Sequence, residues 1–341
     1  MTDRPAAAPP PPLALRQLLF GKQLSYALSG VARLGVADHM TRTEQPVEDI
    51  ASRCGAHAPS LYRVMRMLAG FGVFREGPLR HFALTPMSEL LKSGAPGSLR
   101  YTAMMFGEEF STRAYEHIAD CLRTGGDGVS EAYGKPIWEV LAERPAQHET
   151  FQHAMTASSS AAAQAIVEAY DFSGITRLAD IGGGHGLLLA AILRANPGMQ
   201  GVLFDRPEVV AAVPDDRFAG CDGRIAIEAG SFFERVPDGC DAYLMKHIIH
   251  DWSDEHCRTI LTLMRDKLPK TGRVLVCDMV VTDEPGPTPA KLLDIEMLVM
   301  TVGGKERTPE EFSALFADCG LRLSRIVPTV NPIAVIEAVP A

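Results

Sequence analysis

The sequence predicts an α/β protein: a smaller, mainly helical domain of winged-helix pattern, followed by a doubly wound, mainly parallel sheet. Three observations carry this. From residue 174 on, short β-branched runs alternate with helical segments, the rhythm of right-handed βαβ units. Residues 47–84 run helix, turn, helix and small hairpin, which is the winged-helix order. The chain has 341 residues, 46% hydrophobic and 22% charged, enough for two domains with a core each.

The first twelve residues, MTDRPAAAPPPP, hold a proline run that cannot supply the apolar stretch of a secretory signal, so 1–12 reads as a disordered leader. Residues 13–40 place apolar side chains at helical spacing and read as one or two amphipathic helices. Val47 to Ala51 fit a short helix and Gly55 a turn. Pro59 fits the first turn of a second helix over Ser60 to Ala69, with strands near Val73–Phe74 and His81–Leu84. Residues 13–100 thus form the first domain, and 101–170 a mostly helical linking segment broken at Gly125–Gly128. In 171–341, RLADI, GVLFD, RIAIEAG, DAYLMK and RVLVCDMVV read as strands. LLLAAILRA, PEVVAAV and DEHCRTILTLMRDKL read as the helices between them. A helix spans about Ala290 to Met300. Thr308-Pro309-Glu310-Glu311 is a capping box with proline at the first helical position, so another helix starts there. LRLSRIV and IAVIEAV close the chain as an expected hairpin at the sheet edge.

No apolar run approaches the roughly 18–20 residues of a membrane helix, so no membrane span is expected. Seven scattered cysteines without a Cys-x-x-Cys pair point to reduced thiols and a cytoplasmic protein, not a disulfide framework or zinc ribbon. Residues 13–100 hold 11 Lys/Arg against 6 Asp/Glu, and residues 101–341 hold 21 against 35. The bulk of the chain would repel nucleic acid, and no nucleic-acid partner is expected.

The strongest motif is Leu178-Ala179-Asp180-Ile181-Gly182-Gly183-Gly184-His185-Gly186, which ends a strand and opens a helix. Its glycines, at 182, 184 and 186, are not spaced as a dinucleotide fingerprint requires. The acid before them would repel a pyrophosphate but suits a cation or an amino group, and S-adenosylmethionine carries both. A tight turn without a ligand is the plain alternative. Asp205, at the end of the next strand, is placed for ribose hydroxyls or for a helix cap. Ser231 and Phe232 after the third strand can hold an adenine ring, or the phenylalanines can be core. Lys246-His247-Ile248-Ile249-His250-Asp251-Trp252 follows the fourth strand. A general base fits it better than a metal pair, because no third ligand is evident. His247 is the weaker candidate and can simply pack or cap.

These pieces together resemble the S-adenosylmethionine-dependent O-methyltransferases of the plant caffeic acid type and their bacterial natural-product relatives. The matching motifs are LADIGGGHG, FDRPEVV, GSFFERVPDGCDAYLMKHIIHDWSDE, VLVCDMVV and GGKERTPEEF. They cover nearly all of 140–320 in order, and the N-terminal helices match too. The resemblance implies a Rossmann-like methyltransferase sheet, an N-terminal winged-helix dimerisation domain, and a homodimer formed through the N-terminal helices. It also implies S-adenosylmethionine as cofactor, S-adenosylhomocysteine as product, no metal, and a small aromatic acceptor. Carried over by residue, Asp180, Gly182 and Gly184 fall in the cofactor loop and Asp205 on the ribose. Ser231 and Phe232 fall on the adenine, with Lys246 beside them. His250 matches the general base, followed by Asp251, with Asp278 and Glu306 as the flanking acids. Met155 is counted with the cofactor residues. Phe106, Phe110, Phe151, Trp252, Met297 and Met300 are counted with the acceptor site, expected between the sheet domain and the helices of 100–165.

Two positions depart from the family pattern. Ser231 stands where many relatives have aspartate, and Asp278 is one methylene shorter than the usual glutamate, which leaves Glu306 as the safer partner of His250. Two other readings stay open on sequence grounds. One is a protein that grips the same cofactor without methylating. The other is a winged-helix DNA-binding regulator, kept alive by Arg63 and Arg66 on the second helix of the pattern.

Overall fold

The computed structural model describes residues 10–221 and 223–341. Most of the expected leader, residues 1–9, lies outside them. Its last two prolines do not belong to a leader, because a helix begins at Pro11. Proline is at home there: the first helical turn has no use for its missing N–H.

The described chain divides into two compact units, one ending at Thr112 and including Arg144–Ala157, the other made of Arg113–Glu143 and Ser158–Ala341. In the first, helices Val47–Cys54 and Ala58–Gly70 and the strands β1 (Gln45–Pro46), β2 (Phe74–Glu76) and β3 (His81–Leu84) build the winged-helix arrangement. The strands pair antiparallel in the order β1-β3-β2. β1 was not anticipated, since two residues carry no periodicity and only the pairing of Gln45 with Phe82 and of Pro46 with His81 defines it. Gly55, at φ +68°, ends the first helix in the left-handed conformation that glycine adopts without penalty. The helix Pro11–Leu19 buries none of its residues, although Leu15 and Leu18 are apolar and 60% and 77% exposed.

The second unit holds β4 (Arg177–Ile181), β5 (Gln200–Asp205), β6 (Ile225–Ala229), β7 (Ala242–Lys246), β8 (Arg273–Met279), β9 (Leu321–Pro328) and β10 (Ile333–Pro340). The sheet order is β6-β5-β4-β7-β8-β10-β9, parallel from β6 to β8. The closing hairpin is antiparallel, with β10 between β8 and β9, so only β9 lies at the edge. Side chains alternate between two cores. Ala179, Ile181, Tyr243, Met245, Val274 and Val276 pack with helices Asp254–Lys267 and Pro309–Asp318; Leu178, Leu244, Leu275 and Cys277 pack with helix Leu187–Ala195. Both faces are covered, which is why the strands read as near-continuous apolar runs. Successive strands run outward in opposite directions from β4 and β7, and in such sheets the crevice at that reversal binds ligands.

The segment 101–170 is shared between the units. Residues 113–143 cluster with the sheet because their helices pack on helix Pro289–Met300: a Cβ on Gly128 would lie 2.3 Å from the Ala114 carbonyl oxygen and 3.1 Å from Val299. The Tyr115 hydroxyl donates to Glu296 at 2.5 Å across the same contact.

Candidate active site

The carboxyl ends of β4, β5, β7 and β8 converge on one edge. At the end of β4, Asp180 is buried and its Oδ2 has no hydrogen-bond partner. Burial raises its carboxyl to about 7 against the opposing charge of Lys246, itself lowered by burial. Gly182, Gly184 and Gly186 all have φ between +58° and +73°. A Cβ on Gly182 would lie 2.5 Å from Ile248, whereas one on Gly184 would meet nothing within 4 Å. The bend is tight on one side and open on the other. The Gly184 N–H donates to Asp205 Oδ2 at 2.8 Å and the Arg206 N–H to Oδ1 at 2.7 Å. Each oxygen keeps a lone pair for a further donor. This set suits a nucleoside carrying a cationic head: an orphaned buried carboxylate oxygen for the cation, a backbone bend open at Gly184, and a carboxylate at the next strand end.

Phe232 reaches the same bend, 3.5 Å from a Cβ on Gly182. It tilts on Phe233 at 4.8 Å, and Trp252 stands edge-on to both rings. Trp252, grouped from the sequence with the acceptor residues, thus packs in one aromatic cluster with Phe232 and Phe233. Ser231 Oγ accepts the Phe233 N–H at 3.3 Å.

After β7, Ile249–Asp251 forms a 3-10 turn that buries His250. Its Nδ1 donates to Glu306 Oε1 at 2.6 Å, and its Nε2 lies 3.6 Å from Asp251 Oδ1. Burial alone would lower this imidazole. The charges of Asp251 and Asp278, with the hydrogen bond and charge of Glu306, outweigh it and lift it to about 9. Asp251 and Asp278 are raised by burial to about 6, and the charge of His250 works against that rise at both. Glu306 is placed by its own N–H, which donates to Asp294 Oδ1 at 2.9 Å.

Asp278 was placed among the acids flanking His250, with its shorter side chain leaving Glu306 as the safer partner. Asp278 accepts the His247 N–H at 2.9 Å, and it acts on His250 through charge. His247 has φ +52°, rare for a side chain of its size, and its ring lies 4.8 Å from that of His250. Asp278 also supplies the third polar neighbour that sequence reasoning did not find, since ligating atoms of His247, His250 and Asp278 lie within 4.8 Å of one another. Ligands of one zinc ion sit about 3.4 Å apart at tetrahedral geometry. The cluster is wider than that, and one atom each of His250 and Asp278 is held elsewhere, Nδ1 by Glu306 and Oδ1 by the His247 N–H.

Met297 and Met300 are buried on helix Pro289–Met300 in the same unit. Phe106, Phe110, Phe151 and Met155 belong to the other unit. There Phe110 is buried edge-on to Phe151, while Phe106 and Met155 are exposed. Sequence reasoning left His247 as an alternative and missed Asp294 and Arg307. Arg307 directly follows Glu306 in GGKERTPEEF, yet nothing in a sequence separates a buried arginine from an exposed one.

A doubly wound sheet, a glycine bend behind an acid, and a buried histidine–carboxylate pair at its reversal point define the class of S-adenosylmethionine-dependent methyltransferases. Residues 115–322 match the O-methyltransferase domain and residues 16–94 the O-methyltransferase dimerisation domain. The chain belongs to the O-methyltransferase family. It is 37% identical to the phenazine O-methyltransferase PhzM of Lysobacter antibioticus over 336 residues, 98% of each chain. It is 34% identical to the mitomycin biosynthesis 6-O-methyltransferase of Streptomyces lavendulae over 328 residues, 95% of this chain and 93% of that one. The crystal structure of CalO1, a methyltransferase in calicheamicin biosynthesis, in its SAH-bound form, matches with TM-score 0.87 and 34% identity over 96% of this chain and 98% of that one. Among the described residues no helix is long and apolar enough to cross a membrane.

Proposed function

We propose that this enzyme methylates a hydroxyl of a small aromatic natural product, with His250 as general base and Glu306 as its orienting partner. The observation that carries the reading is the 2.6 Å bond from His250 Nδ1 to Glu306 in a buried pocket at the sheet's reversal point. S-adenosylmethionine, when bound, supplies a methyl group activated by its sulfonium. Asp180, Gly182, Gly184, Asp205, Ser231, Phe232 and Lys246 hold it, with Trp252 completing the aromatic wall. Asp180 takes the cationic head, and Asp205 the ribose hydroxyls.

In-line transfer to oxygen needs alignment and a nucleophile that loses its proton as it attacks. A phenol titrates near 10 and an ordinary histidine near 6.5, so full transfer in water costs about 5 kcal/mol. With His250 lifted to about 9, the mismatch falls to about 1 kcal/mol once the ring is neutral, a form that becomes common only as pH approaches 9. The imidazolium formed at Nε2 faces Asp251, while Glu306 holds Nδ1–H. Met297 and Met300 present soft, polarizable side chains suited to a flat aromatic ring. The phenazine and mitomycin relatives support an acceptor from antibiotic chemistry. The test is to incubate the protein and labelled S-adenosylmethionine with phenazine, anthraquinone and catechol phenols. A product heavier by one methylene, with stoichiometric S-adenosylhomocysteine, is expected; cofactor binding with no transfer to any phenol defeats the reading.

The enzyme works as a homodimer in which helix Pro11–Leu19 buries its leucines against a second subunit. Leu15→Glu with Leu18→Glu is expected to give monomers by light scattering, and an intact dimer would refute this interface.

A further inference from the structure

His250 sits on a turn of three residues, too short to hold its own shape, because such a turn leaves most of its carbonyls without helical partners. Glu306 sits 56 residues away on a segment with no regular structure beyond a single bridge, Val280 to Arg307. Something must keep two such pieces in register to within the tolerance of a 2.6 Å bond.

Arg307 spans them. It is only 1% exposed, and its guanidinium donates to main-chain oxygens on both sides of the gap. Nη1 reaches Ile249 O at 2.9 Å and Lys305 O at 3.4 Å; Nη2 reaches Trp252 O at 3.2 Å. Ile249 and Trp252 bracket the turn that carries His250, and Lys305 and Arg307 bracket Glu306. Asp254 Oδ1 balances the charge, accepting from Nη2 at 2.8 Å and Nε at 3.2 Å. The Lys305 N–H adds a direct stitch to His250 O at 2.9 Å, and the approach is so close that a Cβ on Gly304 would lie 2.4 Å from that oxygen. The planar fork is what makes this possible: a lysine presents one point of charge and cannot serve carbonyls on two segments at once.

We infer that Arg307 is a positioning residue, holding the turn of His250 and the segment of Glu306 in the alignment that proton removal requires. The inference rests on the base assignment above, and it concerns geometry that can be read without turnover. Asp251, Asp278 and Glu306 together lift His250, opposed by its burial, and Lys246 and His247 also face this cluster. Slackening Arg307 moves Glu306 and Asp251 off the ring, which lowers the imidazole. Losing Arg307's own charge, which acts on Asp278 and is balanced by Asp254, works the other way, so a fall in the midpoint reports the displacement.

The experiment follows isotopically labelled histidine by NMR titration of the full chain, with the His250 signal identified as the one missing in His250→Gln. Arg307→Met is expected to lower the His250 midpoint by about one pH unit or more. Arg307→Lys and Asp254→Asn should lower it by less, and the affinity for S-adenosylhomocysteine should stay within about threefold. Methyl transfer should fall about tenfold to a hundredfold in Arg307→Met, as for other misplacements of a reacting group. A purely structural arginine would lower the melting temperature and leave the midpoint in place. If Arg307→Met does not fold, Asp254→Asn decides, since Asp254 is 40% exposed and its replacement opens no cavity. An unmoved midpoint in either folded variant overturns the inference. Should His250→Gln turn over at the parent rate, the base reading fails, and the midpoint still reports on Arg307.

Discussion

The two halves of the sheet's carboxyl edge bury their carboxylates differently. On the β4–β5 side, Asp180 keeps an oxygen without a partner, and the backbone beside it is held in left-handed glycine geometry that leaves Gly184 facing open space. On the β7–β8 side, the main chain is stitched across at Ile249, His250, Trp252 and Lys305, although Asp278 and Glu306 each keep one unpaired oxygen. One half holds an electrostatic debt that a cationic ligand can settle. The other spends its polar groups on holding an imidazole still. What separates the halves is therefore the backbone, open beside one carboxylate and stitched across the others; the proposed function assigns recognition to the first and proton removal to the second.

The largest effect that would sharpen this contrast lies on the rigid side. His250→Gln should lower kcat by about 10²–10⁴ with S-adenosylhomocysteine affinity nearly intact. Glu306→Gln keeps a hydrogen bond but loses charge, and should cost less. A base at His250, as proposed, works only when deprotonated, and the imidazole is raised to about 9. The parent's kcat/KM should therefore climb as pH rises from 7 towards 9, and in Glu306→Gln the limb should move to lower pH. A flat profile across that window would break the assignment.

A smaller effect of opposite character belongs to the permissive side. Asp180 is raised from the usual carboxylate range to about 7, so its charged form is held at a cost in the folded state. That cost is absent below the unfolded midpoint near 4 and fully present above 7. Asp180→Asn removes that cost but leaves the buried Lys246 without its opposing charge, so the gain of the ligand-free protein at pH 8 should fall well short of the roughly 4 kcal/mol ceiling and vanish near pH 4. The same change should weaken cofactor binding about tenfold to a hundredfold. Calorimetric melting and titration at two pH values check both. A variant that loses stability at pH 8 would show that Asp180 is a structural group.

Much of this was legible before the fold was known, and the reasons are local. The βαβ rhythm, the Thr308–Glu311 capping box and the glycine bend each follow from short-range chemistry, and the structure carries all three. The His250–Glu306 pair was legible only through resemblance, because 56 residues separate its members. Asp278 was assigned to the cluster with its reach to His250 left open: whether a shorter acid meets an imidazole or a neighbouring amide is settled by ångströms that spacing does not record. The division of 101–170 hinged on the clearance above Gly128, a tertiary property.

His247 sets a limit on how the site can be altered. With φ at +52° and its N–H shared between Cys277 O and Asp278 Oδ1, position 247 tolerates glycine, asparagine or aspartate far better than any branched or bulky aliphatic residue. A random library aimed at new acceptors would lose most of its members at this codon to a misplaced turn. If the proposed acceptor role holds, Met297 and Met300 are the better positions to vary, since they lie within a regular helix.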